Sequence, residues 1–281
     1  DFYFMVSEKY TVSERYSGSL SYVLVEGVER FDVSKVFDCG QCFRFDRVQT
    51  SGHESEFAGC VHGKYISVAQ DGDRLYIYNI SLDEYKDTFE HFLALDRDYG
   101  EIDREILALS DNPTLKEAMQ VSSGIRILKQ EPWETICSFI ISQNNNIPRI
   151  KKIVAALCQK CGERVDISHM NGHIAENHLE NEGNFYSFPS PEAVMSLGID
   201  GLFALKTGFR AKYIFDAATK MSRGEIDSVL LENAPTDESV NHLCSVKGIG
   251  PKVACCALLF GFARLDAFPI DVWIKKVMAK Y

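Results

Sequence analysis

The stretch VKGIGPKVACC, Val246 to Cys256, decides how the rest of the chain is read. It lies between DESVNHLCSV and KVACCALLFGF, both helical by pattern, so it joins two helices through a glycine hairpin. Glycines allow positive φ and close approach of the backbone to a ligand. The N–H groups opening the second helix lack intrahelical partners, and the helix dipole favours an anion there. A nucleic-acid phosphate fits such a site. Lys247 on the hairpin and Lys252 in the first turn add positive charge. Alone, the hairpin is equally a plain turn, and Lys252 a surface or phosphate-contacting lysine.

Lys252 is oddly placed for a structural residue. A cation in the first turn opposes the dipole, which disfavours its charged form, and partial burial would act the same way. Both would make the amine a better nucleophile. Nineteen residues on, Asp271 follows Pro269 where another helix starts. It reads either as an N-cap or as a carboxylate held near a reactive amine.

Working outward, 281 residues suffice for two domains with real cores. With 46% hydrophobic and 11% aromatic residues, the composition is that of an ordinary soluble globular chain. No run is apolar enough for a membrane helix, and DFYFMVSEKY lacks the marks of a secretory signal. The expected location is therefore intracellular: cytoplasm or nucleoid in a bacterium, nucleus in a eukaryote. Nine cysteines, two of them adjacent, suit reduced thiols. The net charge of −10 argues against a nucleic-acid partner until its distribution is considered. Residues 1–125 hold 12 basic and 23 acidic side chains, whereas residues 126–281 hold 18 and 17. From Cys244 onward there are six basic residues and two acidic ones, a local patch of the kind that binds phosphates.

SYVLVEGVERFDV, CFRFDRV, FAGCVHGKYISVA and RLYIYNI read as strands of an antiparallel sheet, broken by turns such as Asp71-Gly72-Asp73. From Ser81 helical spacing takes over at Leu82, Tyr85, Phe89, Phe92 and Leu93, continued by Ile102, Ile106 and Leu109. EPWETICSFIISQ and IPRIKKIVAALCQK form two further helices around Asn144-Asn145-Asn146. Residues 162–190 are polar and aperiodic, a long connecting segment. Helices then resume to the end. The expected class is α+β, with an N-terminal antiparallel sheet domain with flanking helices at 1–115 and an all-α bundle at 116–281 carrying the hairpin 246–250.

Hairpin, Lys252 and Asp271 together resemble the helix-hairpin-helix DNA glycosylases, and ISQNNNIPRI, TGFRAKY and CGQCFRF resemble the 8-oxoguanine DNA glycosylase/lyases within that superfamily. The likeness covers nearly the whole chain. It implies a bifunctional enzyme of base excision repair acting as a monomer on duplex DNA that contains oxidised guanine, with the damaged nucleotide flipped out. Lys252 would attack the sugar C1′ and form a Schiff base, and Asp271 would stabilise the positive charge building on the sugar. No redox cofactor and no catalytic metal is needed. Gly40 matches the glycine whose carbonyl accepts N7–H of 8-oxoguanine, a proton that guanine lacks. Cys256 falls where the family packs a cysteine on the flipped base, with Phe260 in the same base-binding set. Asn144 matches the residue that fills the vacated space. Arg149 and Arg210 match the arginines that contact the orphaned cytosine. Phe209 takes the place of a wedging tyrosine, which implies a kink retained and opposite-base preference loosened. Gly248 and Gly250 would form the phosphate grip, with Lys247 in the same DNA-binding set.

There are departures. Lys247 stands where the family commonly has a hairpin proline, and Trp273 where it often has a histidine near the phosphate. The sequence ends 10 residues past Asp271, whereas the family usually continues with a helix that supplies an aromatic and a glutamine to the base pocket. The expectation is a C-terminal truncation or another closure of that pocket. Two other readings stay open. One is a glycosylase for an alkylated purine or an oxidised pyrimidine. The other is a non-enzymatic module that binds phosphates with the hairpin alone. The pairs Cys39–Cys42 and Cys158–Cys161 admit a zinc site, and His169, His173 and His178 a metal, but reduced thiols and solvated histidines are the expected states.

Overall fold

The computed structural model describes residues 4–6, 10–49, 51–170, 173 and 185–280. His178 and much of the polar segment around it lie outside the described residues. The chain forms two compact units. One comprises residues 1–128 with 165–185, the other 129–164 with 186–281.

Among the described residues the first unit has seven strands: β1 Phe4–Val6, β2 Thr11–Ser17, β3 Leu20–Glu26, β4 Phe45–Arg47, β5 Ser55–Val61, β6 Lys64–Asp71 and β7 Arg74–Tyr78. Their order is β1-β2-β3-β7-β6-β5-β4, and every neighbouring pair is antiparallel. FAGCVHGKYISVA is a hairpin rather than one strand. His62 and Gly63 have φ of 49° and 69°, both positive, as the tightest two-residue turn requires. The Gly18 and Gly72 turns close the β2–β3 and β6–β7 pairs. β2 lacked a clear sequence signal because Ser, Glu and Arg interrupt it. Strand reading also ran too far after Glu26: Asp32 accepts from the Lys35 N–H at 3.0 Å and caps a helix, Val33–Asp38.

β6 is buried on both faces. Ile66 and Val68 join a core with Phe37, Phe45, Phe57, Phe92 and Leu93. On the other face Tyr65 meets Phe185, with ring centroids 5.0 Å apart, and the Glu56 carboxylate accepts from His173 Nε2 at 2.7 Å. Those contacts bring Phe185 and His173 to the sheet. The helical turns from Leu82 to Phe92, opened by a Ser81–Glu84 capping box, bury the apolar residues that the spacing picked out. Helix Tyr99–Leu109 buries none of its residues, and Leu109 is 86% exposed.

The division falls at Leu128 rather than at 115. The buried Arg126 guanidinium is the reason: it donates to the carbonyls of Glu29, Arg30, Ala94 and Arg97 and to the Tyr10 hydroxyl. Lys35 also donates to the carbonyls of Val121 and Ser123. Residues 116–128 are thereby tied to the first unit.

The second unit is helical. Helix Pro132–Ser142 is its centre, with residues 134–141 all buried. Helix Pro251–Gly261 packs against it closely: a Cβ at Gly261 would lie 3.1 Å from Pro132 Cα and Thr135 Cβ. Phe139 and Phe260 stack across this contact at 5.4 Å and 7°. Among the described residues no helix is long and apolar enough to cross a membrane.

Candidate active site

Helix Thr236–Cys244 leads into the hairpin and helix Pro251–Gly261 leaves it. Val246 and Ile249 are buried and pin the loop from inside, while Lys247 is exposed. The two glycines have different reasons to be glycine. Gly248 has φ of 82°, and a Cβ there would lie 2.3 Å from ring carbons of Tyr213. Gly250 has φ of −103°, and a Cβ there would meet nothing within 4 Å. Its missing side chain matters only to something arriving from outside. Gly250 is the N-cap, Pro251 opens the helix, and no side chain caps it. No side chain thus competes for the N–H groups of the first turn.

Lys252 projects from that turn. It is exposed, so burial does not add to the effect of the dipole, and Nζ lies 5.7 Å from the centre of the Phe139 ring. One turn on, Cys256 is buried and hydrogen-bonded to Lys252. Burial pushes the Cys256 thiol up to about 11 against the lowering effect of the lysine, so it stays neutral near pH 7. Asp271 is the N-cap of helix Val272–Lys280. Its Oδ1 accepts from Trp273 N at 2.9 Å and Ile274 N at 2.8 Å. Both cap bonds use one oxygen, which leaves Oδ2 able to take another partner.

An open cleft of about 510 Å³ brings together Asn144, Gly250, Lys252, Asp271 and Lys275. Three sequence expectations thus converge on one cavity with the hairpin glycine. Asn144 sits in the left-handed region, with φ of 47°, in the turn between helices Pro132–Ser142 and Ile147–Cys161. Arg210 holds that turn. It is 4% exposed and donates to the carbonyls of Gln143, Asn144 and Thr207. Burial first, and then the neighbouring Arg149 charge, hold its guanidinium below the ordinary range. Phe209 is 52% exposed, with the Arg210 guanidinium 4.5 Å from its ring centre and the Tyr213 ring in a T-shaped pair with it at 5.9 Å. Arg149 and Trp273 are exposed, and the Lys276 ammonium lies 4.4 Å from the Trp273 ring.

Gly40 belongs to the first unit. Its φ of 84° is one that glycine adopts without strain. Gln41 fixes the backbone beside it, donating to the Val36 and Arg126 carbonyls and accepting from Leu128 N. The Cys39 and Cys161 thiols donate to the carbonyls of Val36 and Leu157 in their own turns. Among the described residues, no group of three or more His, Cys, Asp or Glu could hold a metal.

Sequence reasoning missed Tyr213, Asp216, Lys220 and Lys275. The first three recur at helical spacing on helix Ala211–Ser222, a visible signal, but nothing in the sequence shows that this face meets the hairpin.

A helix-hairpin-helix unit with a lysine–aspartate cleft, preceded by an antiparallel sheet unit, defines the class. The comparisons agree. The family model for the 8-oxoguanine DNA glycosylase N-terminal domain matches residues 23–136, and that for HhH-GPD superfamily base excision DNA repair proteins matches residues 137–281. The chain belongs to this HhH-GPD superfamily. It is 34% identical over 194 residues to the N-glycosylase/DNA lyase of Saccharomyces cerevisiae, covering 64% of this chain and 48% of that protein. It is 29% identical over 174 residues to N-glycosylase/DNA lyase OGG1 of Arabidopsis thaliana, covering 60% and 44%. The aligned stretch thus spans about half the length of these curated relatives. Among solved structures, it is similar to the 8-oxoguanine glycosylase/lyase of Clostridium acetobutylicum in complex with DNA containing cytosine opposite 8-oxoguanine. The TM-score is 0.83 at 33% identity, covering 96% of this chain and 84% of that one.

Proposed function

We propose that the protein is a bifunctional DNA glycosylase/AP lyase that removes 8-oxoguanine opposite cytosine from duplex DNA, acting on cellular DNA as a monomer. The observation that carries this reading is the cleft that gathers Lys252, Asp271, Asn144 and the uncapped helix start at Gly250. The similarity to the yeast, plant and clostridial enzymes supports the substrate.

In this reading the hairpin amides take a backbone phosphate and the damaged nucleotide leaves the stack. Lys252 Nζ forms a bond to C1′ while the N9–C1′ bond breaks; the base departs with the electron pair and is protonated, and the new C–N centre gives up its extra proton. Asp271 stabilises the charge that develops on the sugar. The sugar ring opens to a Schiff base. Loss of a C2′ proton then expels the 3′ phosphate oxygen, which cuts the strand. Asn144 fills the space left by the base, Arg149 serves the orphaned cytosine, Phe209 wedges the duplex and Trp273 lies near the backbone. Arg210, expected to share the cytosine contact, is instead buried and holds the Asn144 turn through backbone carbonyls. The Gly40 carbonyl accepts N7–H of 8-oxoguanine and opposes the bare N7 of guanine, with Cys256 and Phe260 against the base.

The test is borohydride trapping on a duplex with 8-oxoguanine opposite cytosine. A covalent adduct that disappears in Lys252→Gln is expected. No adduct with the intact chain, or one that survives the substitution, overturns the mechanism. Equal, poor excision of guanine and 8-oxoguanine, with turnover of another lesion, would reassign the base.

A further inference from the structure

A carboxylate lies under the phosphate-binding hairpin, where its charge opposes the anion the hairpin is meant to hold. Asp216, on helix Ala211–Ser222, accepts the Lys247 backbone N–H at 2.9 Å through Oδ2. Lys220, one turn on, lies 3.7 Å from the same oxygen and donates to the Ser245 carbonyl. Lys247 Nζ lies 3.9 Å from Oδ1. One helix face thus grips the loop by a backbone N–H and a backbone C=O. Tyr213 on that face supplies the floor against which Gly248 packs.

We propose that Asp216 is a positioning residue that fixes the hairpin's approach to a nucleic-acid phosphate, with Lys220 as its counter-charge. This rests on the reading of the hairpin as a DNA grip. Lys247 has a backbone N–H to be held and lacks a ring to fix its φ, so the restraint comes from outside the loop. The unfavourable charge beneath the anion site is accounted for by that restraint, with two lysines screening it.

The experiment compares Asp216→Asn with Asp216→Ala in the full chain, using an undamaged duplex oligonucleotide as probe. Both substitutions remove one negative charge, but only asparagine keeps a carbonyl oxygen for the Lys247 N–H. Asp216→Ala is expected to weaken binding about 5- to 10-fold, the scale of one lost hydrogen bond, although it makes the patch more positive. Asp216→Asn is expected to bind within about twofold of wild type or more tightly, since its hydrogen bond survives and a repulsive charge is gone. Hydrogen exchange at the Lys247 amide is slow in wild type and Asp216→Asn and fast in Asp216→Ala. Lys247→Pro added to Asp216→Ala restores more affinity than Lys247→Ala does, because only proline replaces the restraint. Asn and Ala shifting together, or Ala leaving both binding and Lys247 exchange unchanged, overturns the proposal. A wild-type chain that binds no duplex overturns the proposed function and the phosphate role with it, while Lys247 exchange still decides whether the clasp exists.

Discussion

Replacing Gly248 by alanine puts a methyl group into the ring of Tyr213. The added Cβ would lie 2.3 Å from two ring carbons, where comfortable contacts are about 3.5–4.0 Å, so ring or loop must retreat by more than about 1 Å. Overpacking of this kind costs about 1–3 kcal/mol. The φ of 82° adds about 1–2 kcal/mol for a residue with a Cβ. The expected loss is about 2–5 kcal/mol in denaturant unfolding. Gly250→Ala is the control. Its φ of −103° is ordinary and its Cβ meets nothing, so only a small loss of N-cap preference remains, about 1 kcal/mol or less. The order reverses for DNA per unit of stability: Gly250→Ala leaves the fold intact and, on the proposed phosphate role, places its methyl in the path of that phosphate, so duplex affinity is expected to fall about 10-fold. Gly248→Ala combined with Tyr213→Ala costs less than the sum of the single changes, because the clash exists once. Gly248→Ala within about 0.5 kcal/mol of wild type, or less destabilising than Gly250→Ala, would refute the packing argument.

Three further predictions follow from named contacts. Asparagine caps a helix as well as aspartate does, so Asp271→Asn keeps the unfolding midpoint while trapping and excision fall at least about 10-fold; Asp271→Ala loses both, at about 0.5–2 kcal/mol for the cap, and equal activity of the Asn form and wild type would leave Asp271 a cap alone. Arg210→Ala strips the charged donor from the Gln143 and Asn144 carbonyls and is expected to destabilise the second unit on the order of 3 kcal/mol; an unchanged midpoint would mean that these bonds do not form in solution. Burial raises the Glu56 carboxyl, but bonds from His173, Ser51 and Ser67 outweigh it and the net shift is downward. Its contribution is therefore full above the ordinary carboxyl range and lost as pH falls through the depressed value, so the stability advantage of wild type over Glu56→Gln shrinks on acidification below about pH 4.5. An advantage that grows with acid would contradict that sign.

Much of this site is readable because its chemistry is local in sequence. The hairpin glycines, the lysine in the first turn and the aspartate after Pro269 each carry a signal within a few residues. The strands were readable where β-branched and aromatic residues cluster, and were missed at β2, where polar residues interrupt the pattern, and at His62-Gly63, where a non-glycine takes positive φ. What sequence reasoning could not supply was pairing at a distance. Asp216 is an ordinary acid on an amphipathic helix until Lys247, 31 residues away, is placed above it. Arg210 is an exposed-looking arginine until the Gln143 carbonyl, 67 residues upstream, draws it into the interior. Residues 165–185 are a polar connector until Tyr65 and Glu56 give Phe185 and His173 a surface.

The sequence by itself determined the class of fold, the hairpin, and the lysine and aspartate, because glycine, proline and charge act through local backbone geometry and the helix dipole. Tertiary structure decided which glycine is internal and which borders open space, which arginine is buried, and which carboxylate holds the loop. Those properties depend on what packs against a residue, and packing partners are set by the closure of the chain rather than by neighbours in it.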